Sequence, residues 1–371
     1  MSRAVLRVLP LFLITFAALT PARAADCAWR VFGVLAVQDD RTAAPAVKRP
    51  LAGVTVQVAA TLYGWGGYTT WNTVETDASG RFEVSASKSC SARRFRVWAK
   101  LDNADLAVRN PAGDEWMLLR DDGATTLSAW RASLALGAWT FDRAATGALG
   151  DGLAVDRAIS WSMATKLMDH LESVDPWLGF GRKVHVKYPA GWPTRVAWAA
   201  VDTVYIPAGG WNVTTLMHEL THLWNYDHNS GVTNWLSAVL WDFNTHGAQE
   251  EPAIAFHEGF AEFGADLFLN ELYPERFGNY DGWSFRAWDS LAAIERNDYA
   301  VRDVLQTVEG RFMPRFDMLK CFRANAALGY PRDLDLGGTE HGLVDYLQRC
   351  SDLMASFTDD ELATLYEILV P

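Results

Sequence analysis

The sequence is short of basic residues. Its 371 residues include 33 lysines and arginines against 45 aspartates and glutamates, which gives a formal net charge of −12. Nucleic-acid binding depends on lysine and arginine side chains that neutralise phosphates, and an anionic membrane surface attracts the same side chains. The deficit therefore argues against a nucleic-acid partner and against an anionic membrane surface, although net charge alone does not identify a function.

Long hydrophobic runs are also missing after the first 24 residues. At the N-terminus, Arg3 and Arg7 precede an apolar run over residues 8–19, and small residues follow up to Ala24. This pattern is typical of a secretory signal peptide, and the run is too short for a membrane-spanning helix of about 20 residues. We therefore expect residues 1–24 to be a signal peptide cleaved near Ala24, no integral membrane segment, and a secreted or periplasmic protein.

Only four cysteines are present, and all of them follow the predicted signal peptide: Cys27, Cys90, Cys321 and Cys350. In an oxidising compartment, an even number of cysteines favours disulfides. Four cysteines allow three pairings, and the sequence alone leaves the choice among them open. The pairings Cys27–Cys90 and Cys321–Cys350 each stay within one proposed domain, and these are the pairings that we predict.

The length of the chain suits two domains better than one ordinary core. The first part contains alternating and β-branched stretches separated by turn-forming residues, a pattern that predicts strands. These stretches cover residues 30–37, 54–58, 81–84 and 95–99. We expect an antiparallel β-sandwich over residues 25–102, a poorly patterned linker or domain start over 103–150, and a second domain over 151–371.

Two segments of the first part carry a family resemblance. Residues 51–56 read Leu-Ala-Gly-Val-Thr-Val, and residues 76–82 read Thr-Asp-Ala-Ser-Gly-Arg-Phe. Together they resemble the transthyretin-like or carboxypeptidase-regulatory-like β-sandwich. The resemblance covers about seventy residues and implies an accessory module that stiffens, spaces or binds.

The second domain begins with a helical pattern. Apolar residues recur at four-residue spacing over residues 156–174, with Asp151 as a start signal. Two alternating segments, 183–188 and 202–206, predict a pair of strands before the next helix. An edge strand at this place could hold an extended peptide by backbone hydrogen bonds. The C-terminal part is expected to be mostly helical.

The motif with the clearest chemistry is His218-Glu219-Leu220-Thr221-His222. Residues four apart lie on one face of a helix, so His218 and His222 could direct imidazole nitrogens at one metal ion. Glu219 lies beside them and could reach a water bound to that ion. The spacing predicts one Zn²⁺ per chain, held by the two histidines and by a third ligand from elsewhere.

One candidate for the third ligand lies immediately downstream. The pattern continues as His222-x-x-Asn225-x-x-His228, which resembles the metzincin motif except that asparagine replaces the glycine of that family. Asparagine tolerates left-handed backbone geometry, so the turn of that motif remains accessible. The resemblance implies His228 as the alternative metal ligand.

The other candidate lies 36 residues after His222, in the segment Phe256-His-Glu-Gly-Phe-Ala-Glu262. This segment resembles the second-helix motif of gluzincins, the HExxH zinc metallopeptidases whose third ligand is a glutamate. The resemblance implies Glu258 as the ligand, and Glu262 as a carboxylate that orients a ligand histidine. A variant of this reading has Glu262 as the ligand, with Asp266 behind it. We prefer Glu258 because two separate motifs then agree.

These resemblances imply a multidomain protein, with an N-terminal antiparallel β-sandwich followed by an α+β zincin-like catalytic domain that has a mostly helical C-terminal part. The expected activity is hydrolysis of peptide or protein substrates by a zinc-bound water, with Glu219 as general base. Candidate oxyanion donors are Tyr226, Tyr273 and Tyr280.

Other interpretations stay open at this point. The chain could be an exported binding or adhesion protein with a vestigial zinc site, although Glu219 is intact, or a zinc hydrolase that acts on a non-peptide amide or ester. Four further histidines have no spacing partners and are expected to have core or surface roles. They are His170, His185, His246 and His341.

Overall fold

The described part of the chain contains twelve strands and nine helices arranged around three four-stranded sheets. The computed structural model describes residues 26–62, 67–91, 93–110, 117–121, 133–191, 196–228, 252–277, 288–327 and 342–370. The predicted signal peptide, His246 and His341 lie outside the described residues. The chain therefore has a mixed α/β, multi-sheet architecture.

Several strands alternate buried and less buried side chains, and this alternation is why the sequence pattern located them. They are β1 (Asp26–Asp39), β2 (Val47–Pro50), β3 (Thr55–Leu62), β4 (Thr69–Glu75), β5 (Arg81–Ser89), β6 (Arg93–Lys100), β7 (Leu106–Arg109), β8 (Met117–Asp121), β9 (Ser133–Phe141), β10 (Val184–Ala190), β11 (Trp198–Ala200) and β12 (Thr203–Pro207). The four strands predicted in the first part of the chain correspond to β1, β3, β5 and β6.

The first two sheets contain most of the N-terminal strands. In the first sheet, β1 pairs antiparallel with β5 and β2 and parallel with β9. The second sheet has the order β4-β3-β6-β8 and is antiparallel throughout. The ring of Trp29 on β1 lies 6.0 Å from that of Phe95 on β6 and 6.1 Å from that of Trp71 on β4. Aromatic contacts therefore join the two sheets. The first sheet is not purely antiparallel as predicted, because β9 runs parallel to β1.

The segment 103–150, expected to be a linker or a domain start, contributes one strand to each sheet. β7 pairs with β10 in the third sheet, β8 pairs with β6 in the second, and β9 pairs with β1 in the first. These pairings join residues far apart in sequence, and local sequence patterns do not encode them. The boundaries predicted at residues 102 and 150 therefore do not separate independent sets of strands.

The third sheet has the order β11-β12-β10-β7. β10 runs parallel to both of its neighbours, whereas β11 runs antiparallel to β12. The two strands predicted at residues 183–188 and 202–206 are present as β10 and β12, and both are internal. The edge strand beside β12 is β11, which the sequence pattern did not indicate because it is only three residues long.

Helices follow in the second half of the chain. They are α1 (Gly152–Val174), α2 (Val213–His228), α3 (Pro252–Leu272), α4 (Pro274–Phe277), α5 (Leu291–Ile294), α6 (Asp298–Arg311), α7 (Asp317–Ala327), α8 (Leu343–Leu353) and α9 (Asp359–Leu369). The Asp151 side chain accepts a hydrogen bond from the Leu153 amide at the start of α1, which confirms the predicted start signal. The C-terminal part is helical where it is described.

The N-terminal sheets are joined closely to the helical part. Trp161 Nε1 on α1 donates a hydrogen bond to the Ala52 carbonyl at 2.8 Å, and Arg143 pairs with Asp156 of α1. Buried apolar side chains form one continuous cluster that extends from the first strand to the last helix. The two parts of the chain therefore share an apolar core instead of having two separate cores.

Both predicted disulfides are present. Cys27 bonds to Cys90, which joins β1 to the end of β5, and Cys321 bonds to Cys350, which joins α7 to α8. Such bonds persist in oxidising compartments, so they are consistent with an extracellular or periplasmic protein. Among the described helices, none has the length and apolar character of a membrane span.

Buried carboxyls occur away from the predicted metal site as well. Glu309, near the end of α6, accepts a hydrogen bond from the Phe316 amide at 3.2 Å. Burial raises the pKa of this carboxyl to about 7, in the neighbourhood of Arg315, Asp317 and Glu271. Folding therefore favours the protonated form of Glu309.

The raised pKa predicts a pH-dependent stability. Between pH 4.5 and pH 7 the folded protein holds a proton that the unfolded chain releases, so the free energy of unfolding falls as the pH rises through this range. We expect Glu309→Gln to remove this loss and to raise the free energy of unfolding at pH 8 by up to about 3 kcal/mol. Urea denaturation at pH 5 and pH 8 measures the effect.

The exposed Glu367 on α9 provides the matched control for this prediction. Glu367→Gln should leave the pH dependence of the wild-type protein unchanged. A Glu309→Gln variant with that same wild-type pH dependence would contradict the prediction.

Candidate metal centre

Two helices carry the residues of the predicted metal site. α2 begins after Asn212, whose side-chain oxygen accepts a hydrogen bond from the Thr215 amide at 2.8 Å. Asn212 is therefore the N-cap of α2. Within the helix, the four-residue spacing places His218 and His222 on one face. Both side chains are buried.

The third residue comes from α3. Glu258 and Glu262 lie one helical turn apart, and Glu258 is buried against the two histidines. The contacts of His218 with Glu262 and of His222 with Glu258 show that α2 and α3 run antiparallel. The structure therefore brings together the three residues predicted from the two sequence motifs.

The three ligand atoms have the spacing that a small metal ion requires. His218 Nε2 and His222 Nε2 are 3.1 Å apart, and they lie 3.2 and 3.3 Å from Glu258 Oε2. Zinc bonds of about 2.0–2.1 Å in a tetrahedral arrangement place neighbouring ligand atoms about 3.3 Å apart. The His218–His222–Glu258 group could therefore hold a metal ion.

The proton positions on the two imidazole rings are easier to explain with a bound metal ion than with hydrogen bonds alone. If both Nε2 atoms carried protons, they would point at the same oxygen and at each other across 3.1 Å. His218 Nδ1 would then be an unprotonated acceptor that faces Glu262 Oε1 at 3.5 Å. With a cation between the Nε2 atoms, His218 Nδ1 instead carries the proton and can donate it to Glu262.

The electrostatics of Glu258 support the same arrangement. Burial opposes ionisation of this carboxyl, but the adjacent His222 and His218 hold its pKa well below the ordinary value. Glu258 is therefore an ionised carboxylate, the form that binds a metal ion.

Close packing of the helices sets these distances. A Cβ atom added at Gly264 of α3 would lie 2.5 Å from Thr221 Cγ2 of α2. A Cβ atom at Gly259 would lie 2.5 Å from the Asp298 carbonyl oxygen of α6. Glycine at these two positions lets α2 and α6 approach α3 on either side of the metal-binding group.

A second layer of polar residues lies behind the carboxylates. Of these residues, only Asp266 was expected from the sequence. Gln306 of α6 donates a hydrogen bond to Asp266 Oδ2 at 2.8 Å. Burial is the main cause that raises the pKa of Asp266 to about 6. Arg302 of α6 interacts electrostatically with both Asp266 and Glu262. Asp266 is thus held by α6. The carboxylate in the metal-binding group is that of Glu258, so the geometry does not favour the variant with Glu262 as ligand.

His228 lies apart from the metal-binding group. α2 continues without a turn through Asn225 to His228, and six helical residues beyond His222 correspond to an axial rise of about 9 Å. The two ring nitrogens of His228 lie 2.8 and 3.2 Å from the carbonyl oxygens of Trp224 and Trp177. His228 could act as the third ligand only if the chain turned at Asn225. Because the backbone at Asn225 is helical, the structure excludes this alternative.

Tyr273, one of the three tyrosines predicted as oxyanion donors, lies away from the site. Tyr273 follows Glu258 by 15 positions, which corresponds to about 22 Å along a helix, and its ring lies beside Arg49 and Lys166. The Tyr273 prediction is therefore corrected. The side chain of Tyr226 and all of Tyr280 lie outside the described residues.

Two further histidines have the structural roles that were expected. His170 Nε2 lies 3.9 Å from Glu271, and His185 Nε2 lies 4.0 Å from Asp202. Burial lowers the pKa of both imidazoles. Neither belongs to the metal-binding group.

Asn225 and His257 are candidate functional residues that the sequence analysis did not single out. Their side chains are 2% and 5% exposed. Asn225 Oδ1, Asn225 Nδ2 and His257 Nδ1 have no hydrogen-bond partner in the described structure. Buried polar atoms without partners are rare and costly, and they often mark functional sites. They are hard to recognise from the sequence, because both lie inside motifs in which the neighbouring residues are the predicted metal ligands.

No protein-family model matches the chain, and no curated protein matches it. A solved structure, a 9R-lipoxygenase from Cyanothece PCC8801, aligns at 13% sequence identity over 40% of this chain and 25% of that chain, with a TM-score of 0.18. The chain thus spans about a quarter of the length of that protein. A similarity this weak supports no inference about fold or activity.

The close approach of α2 and α3 predicts the effect of adding one methyl group. Gly264→Ala places a Cβ against Thr221, so we expect a loss of about 1–3 kcal/mol in the free energy of unfolding and weaker metal binding. Gly310→Ala is the matched control, because a Cβ there meets nothing within 4 Å. Thermal denaturation and metal titration of both variants measure the difference, and equal behaviour would contradict the packing argument.

The choice of third ligand predicts an order of metal affinities. Glu258→Gln should weaken metal binding more than Glu262→Gln, for which a loss of about 10- to 100-fold is expected. His228→Gln should leave the affinity nearly unchanged, because its ring nitrogens face backbone carbonyl oxygens. Competitive titration against a chromophoric chelator measures all three affinities. A greater loss for His228→Gln than for Glu258→Gln would reverse the ligand assignment.

Proposed function

We propose that the chain is an exported zinc-dependent metallopeptidase. The observation that carries this proposal is the buried group of two imidazole nitrogens and one carboxylate oxygen at 3.1–3.3 Å from one another. Glu219 lies between the two histidines in sequence and is itself buried. This combination matches an HExxH hydrolase site in residue type, spacing and burial.

The types of ligand favour zinc among the common metal ions. Calcium and magnesium prefer sets of oxygen ligands, whereas two imidazoles and one carboxylate are typical of catalytic zinc. A catalytic site also has three protein ligands and leaves a fourth position for a water or a substrate. The described group supplies three ligands, so it fits a catalytic site better than a closed structural one.

The residues of the chain supply the proton transfers. When bound, the metal acts as a Lewis acid that polarises the scissile carbonyl and acidifies a water. Glu219 takes a proton from the attacking water as its oxygen adds to the carbonyl carbon, and it passes that proton to the leaving nitrogen as the carbon–nitrogen bond breaks. Glu262 keeps the proton of His218 on Nδ1, so that Nε2 stays free to bind the metal.

The third sheet offers a place for an extended substrate. β11 is its edge strand on the side of β12, and both strands contact α2. The ring of Trp198 on β11 stacks on that of Tyr205 on β12 at 4.2 Å, which holds the short strand against its neighbour. We propose that a peptide pairs with β11 by backbone hydrogen bonds beside the metal-binding helix.

The proposed assignment of the N-terminal sheets is an accessory β-sandwich of the transthyretin-like type. Two observations support it: the first and second sheets meet through aromatic contacts, and the described metal-binding residues all lie outside them. The disulfides support export. If the accessory sheets alone carried the function, the protein would bind its partner without hydrolysing it.

The role of Glu219 gives the direct test. The purified mature protein should contain about one zinc ion per chain and should cleave members of a mixed peptide library. Glu219→Gln should keep the zinc and reduce cleavage by about 100-fold or more, because the proton acceptor is lost. Mass spectrometry of the peptides and elemental analysis of the protein measure the two quantities. Stoichiometric zinc without cleavage by the wild-type protein would refute the peptidase proposal.

A further inference from the structure

Asn225 and His257 stand out among the buried polar residues near the metal-binding group. Their side chains are 2% and 5% exposed, and Asn225 Oδ1, Asn225 Nδ2 and His257 Nδ1 lack hydrogen-bond partners in the described structure. Two other buried polar side chains of α2 and α3 do have partners: Thr221 donates a hydrogen bond to the Met217 carbonyl, and Asn270 donates one to the Asp266 carbonyl. Buried polar atoms without partners are rare in folded proteins, so these three atoms are candidates for contact with a bound molecule.

The register of α2 and α3 places Asn225 and His257 at the same end of the metal-binding group. Thr221 of α2 faces Gly264 of α3, and Trp224 faces Phe260, so each step forward on α2 corresponds to a step backward on α3. Asn225 is seven residues after His218, which is two helical turns further along the same face. The residue that precedes Glu258 on α3 is His257.

Electrostatic contacts confirm that His257 is near the metal ligands without being one of them. His222 and Glu258 are the two ionisable groups that interact electrostatically with the His257 imidazole. The group of candidate ligand atoms consists of His218, His222 and Glu258. The imidazole of His257 is thus close to the ligands but outside the coordinating set.

The chemistry of the pair fits the oxygen of the reacting carbonyl. An imidazole supplies at least one N–H donor, and the asparagine amide supplies two donors and an acceptor. Buried donors fixed in place near a reacting carbonyl stabilise the negative charge that develops on its oxygen when water adds to the carbon. Tyr273, one of the tyrosines expected for this role, lies beside Arg49 and Lys166 instead.

We infer that Asn225 and His257 form the site that receives the carbonyl oxygen of the substrate and stabilises the negative charge that develops on it. This inference rests on the proposed hydrolase function, and it adds two catalytic residues to Glu219. Each side chain is held by a helix that also carries metal ligands, so the donors are positioned before the substrate binds.

The test separates recognition of an oxyanion from metal binding. The full mature chain is loaded with Co²⁺, whose visible absorption reports changes in its ligands. It is titrated with inorganic phosphate, a tetrahedral oxyanion, and with acetohydroxamate, a planar chelator. The variants are Asn225→Leu and His257→Phe, which keep the approximate shape and remove the hydrogen-bonding atoms. Asn270→Leu and His170→Phe provide matched controls away from the site.

We expect both site variants to bind phosphate at least about tenfold more weakly, with a change of less than about threefold for acetohydroxamate. Affinity for Co²⁺ should stay unchanged, and the melting temperature should stay the same or rise, because buried polar atoms without partners are removed. The control variants should bind both probes as the wild-type protein does.

Two outcomes would overturn the inference while leaving the proposed function intact. In the first, wild-type protein binds phosphate and both site variants bind it equally well. In the second, Co²⁺ affinity and both probe affinities fall together, which would make the pair a structural support for the ligands. Failure of wild-type protein to cleave the peptide library would instead refute the proposed function, and the inference with it.

Discussion

The contact between α2 and α3 is the constraint on which the metal-binding group depends. Glu258 reaches the two histidines because Gly264 allows the helices to approach at Thr221. The spacing of ligand atoms in a zinc site tolerates deviations of only about 0.2 Å in bond length. A methyl group at position 264 would press against Thr221, so the glycine supports the geometry that the ligands require.

The same contact concentrates negative charge in a buried region. Glu258, Glu262 and Asp266 occupy successive turns of α3, and burial opposes ionisation of Glu258 and Asp266. The histidines lower the pKa of Glu258, whereas Asp266 remains raised to about 6 despite the nearby Arg302. A divalent cation beside Glu258 would add the positive charge that this arrangement lacks, so the described site is electrostatically more complete with a metal ion than without one.

Local patterns in the sequence predicted the parts of the site that are local in structure. The four-residue spacing of His218 and His222, the segment with Glu258 and Glu262, and the alternating strands follow from helical and strand periodicity. The structure brings His218, His222 and Glu258 together, and it confirms both disulfides. Zinc and peptidase activity go beyond the geometry and remain predictions.

Non-local features could not be predicted in the same way. β9 pairs parallel with β1 although about one hundred residues separate the paired positions, and no local pattern encodes that pairing. The edge strand β11 is too short to show alternation. The positions of Asn225 and His257 depend on the antiparallel register of α2 and α3, which becomes visible only when both helices are placed.

The far end of α3 joins the metal-binding helix to the N-terminal sheets. The Tyr273 ring follows α3 and lies 5.1 Å from the Arg49 guanidinium of β2 and 4.3 Å from Lys166 Nζ of α1. Lys166 also donates a hydrogen bond to the Leu272 carbonyl, which satisfies an unpaired acceptor at the helix end. The first sheet and α1 therefore fix one end of the helix whose other end presents Glu258. Because the buried core is continuous, the N-terminal sheets are part of the framework that positions the ligand, and their removal would leave α3 without this anchor.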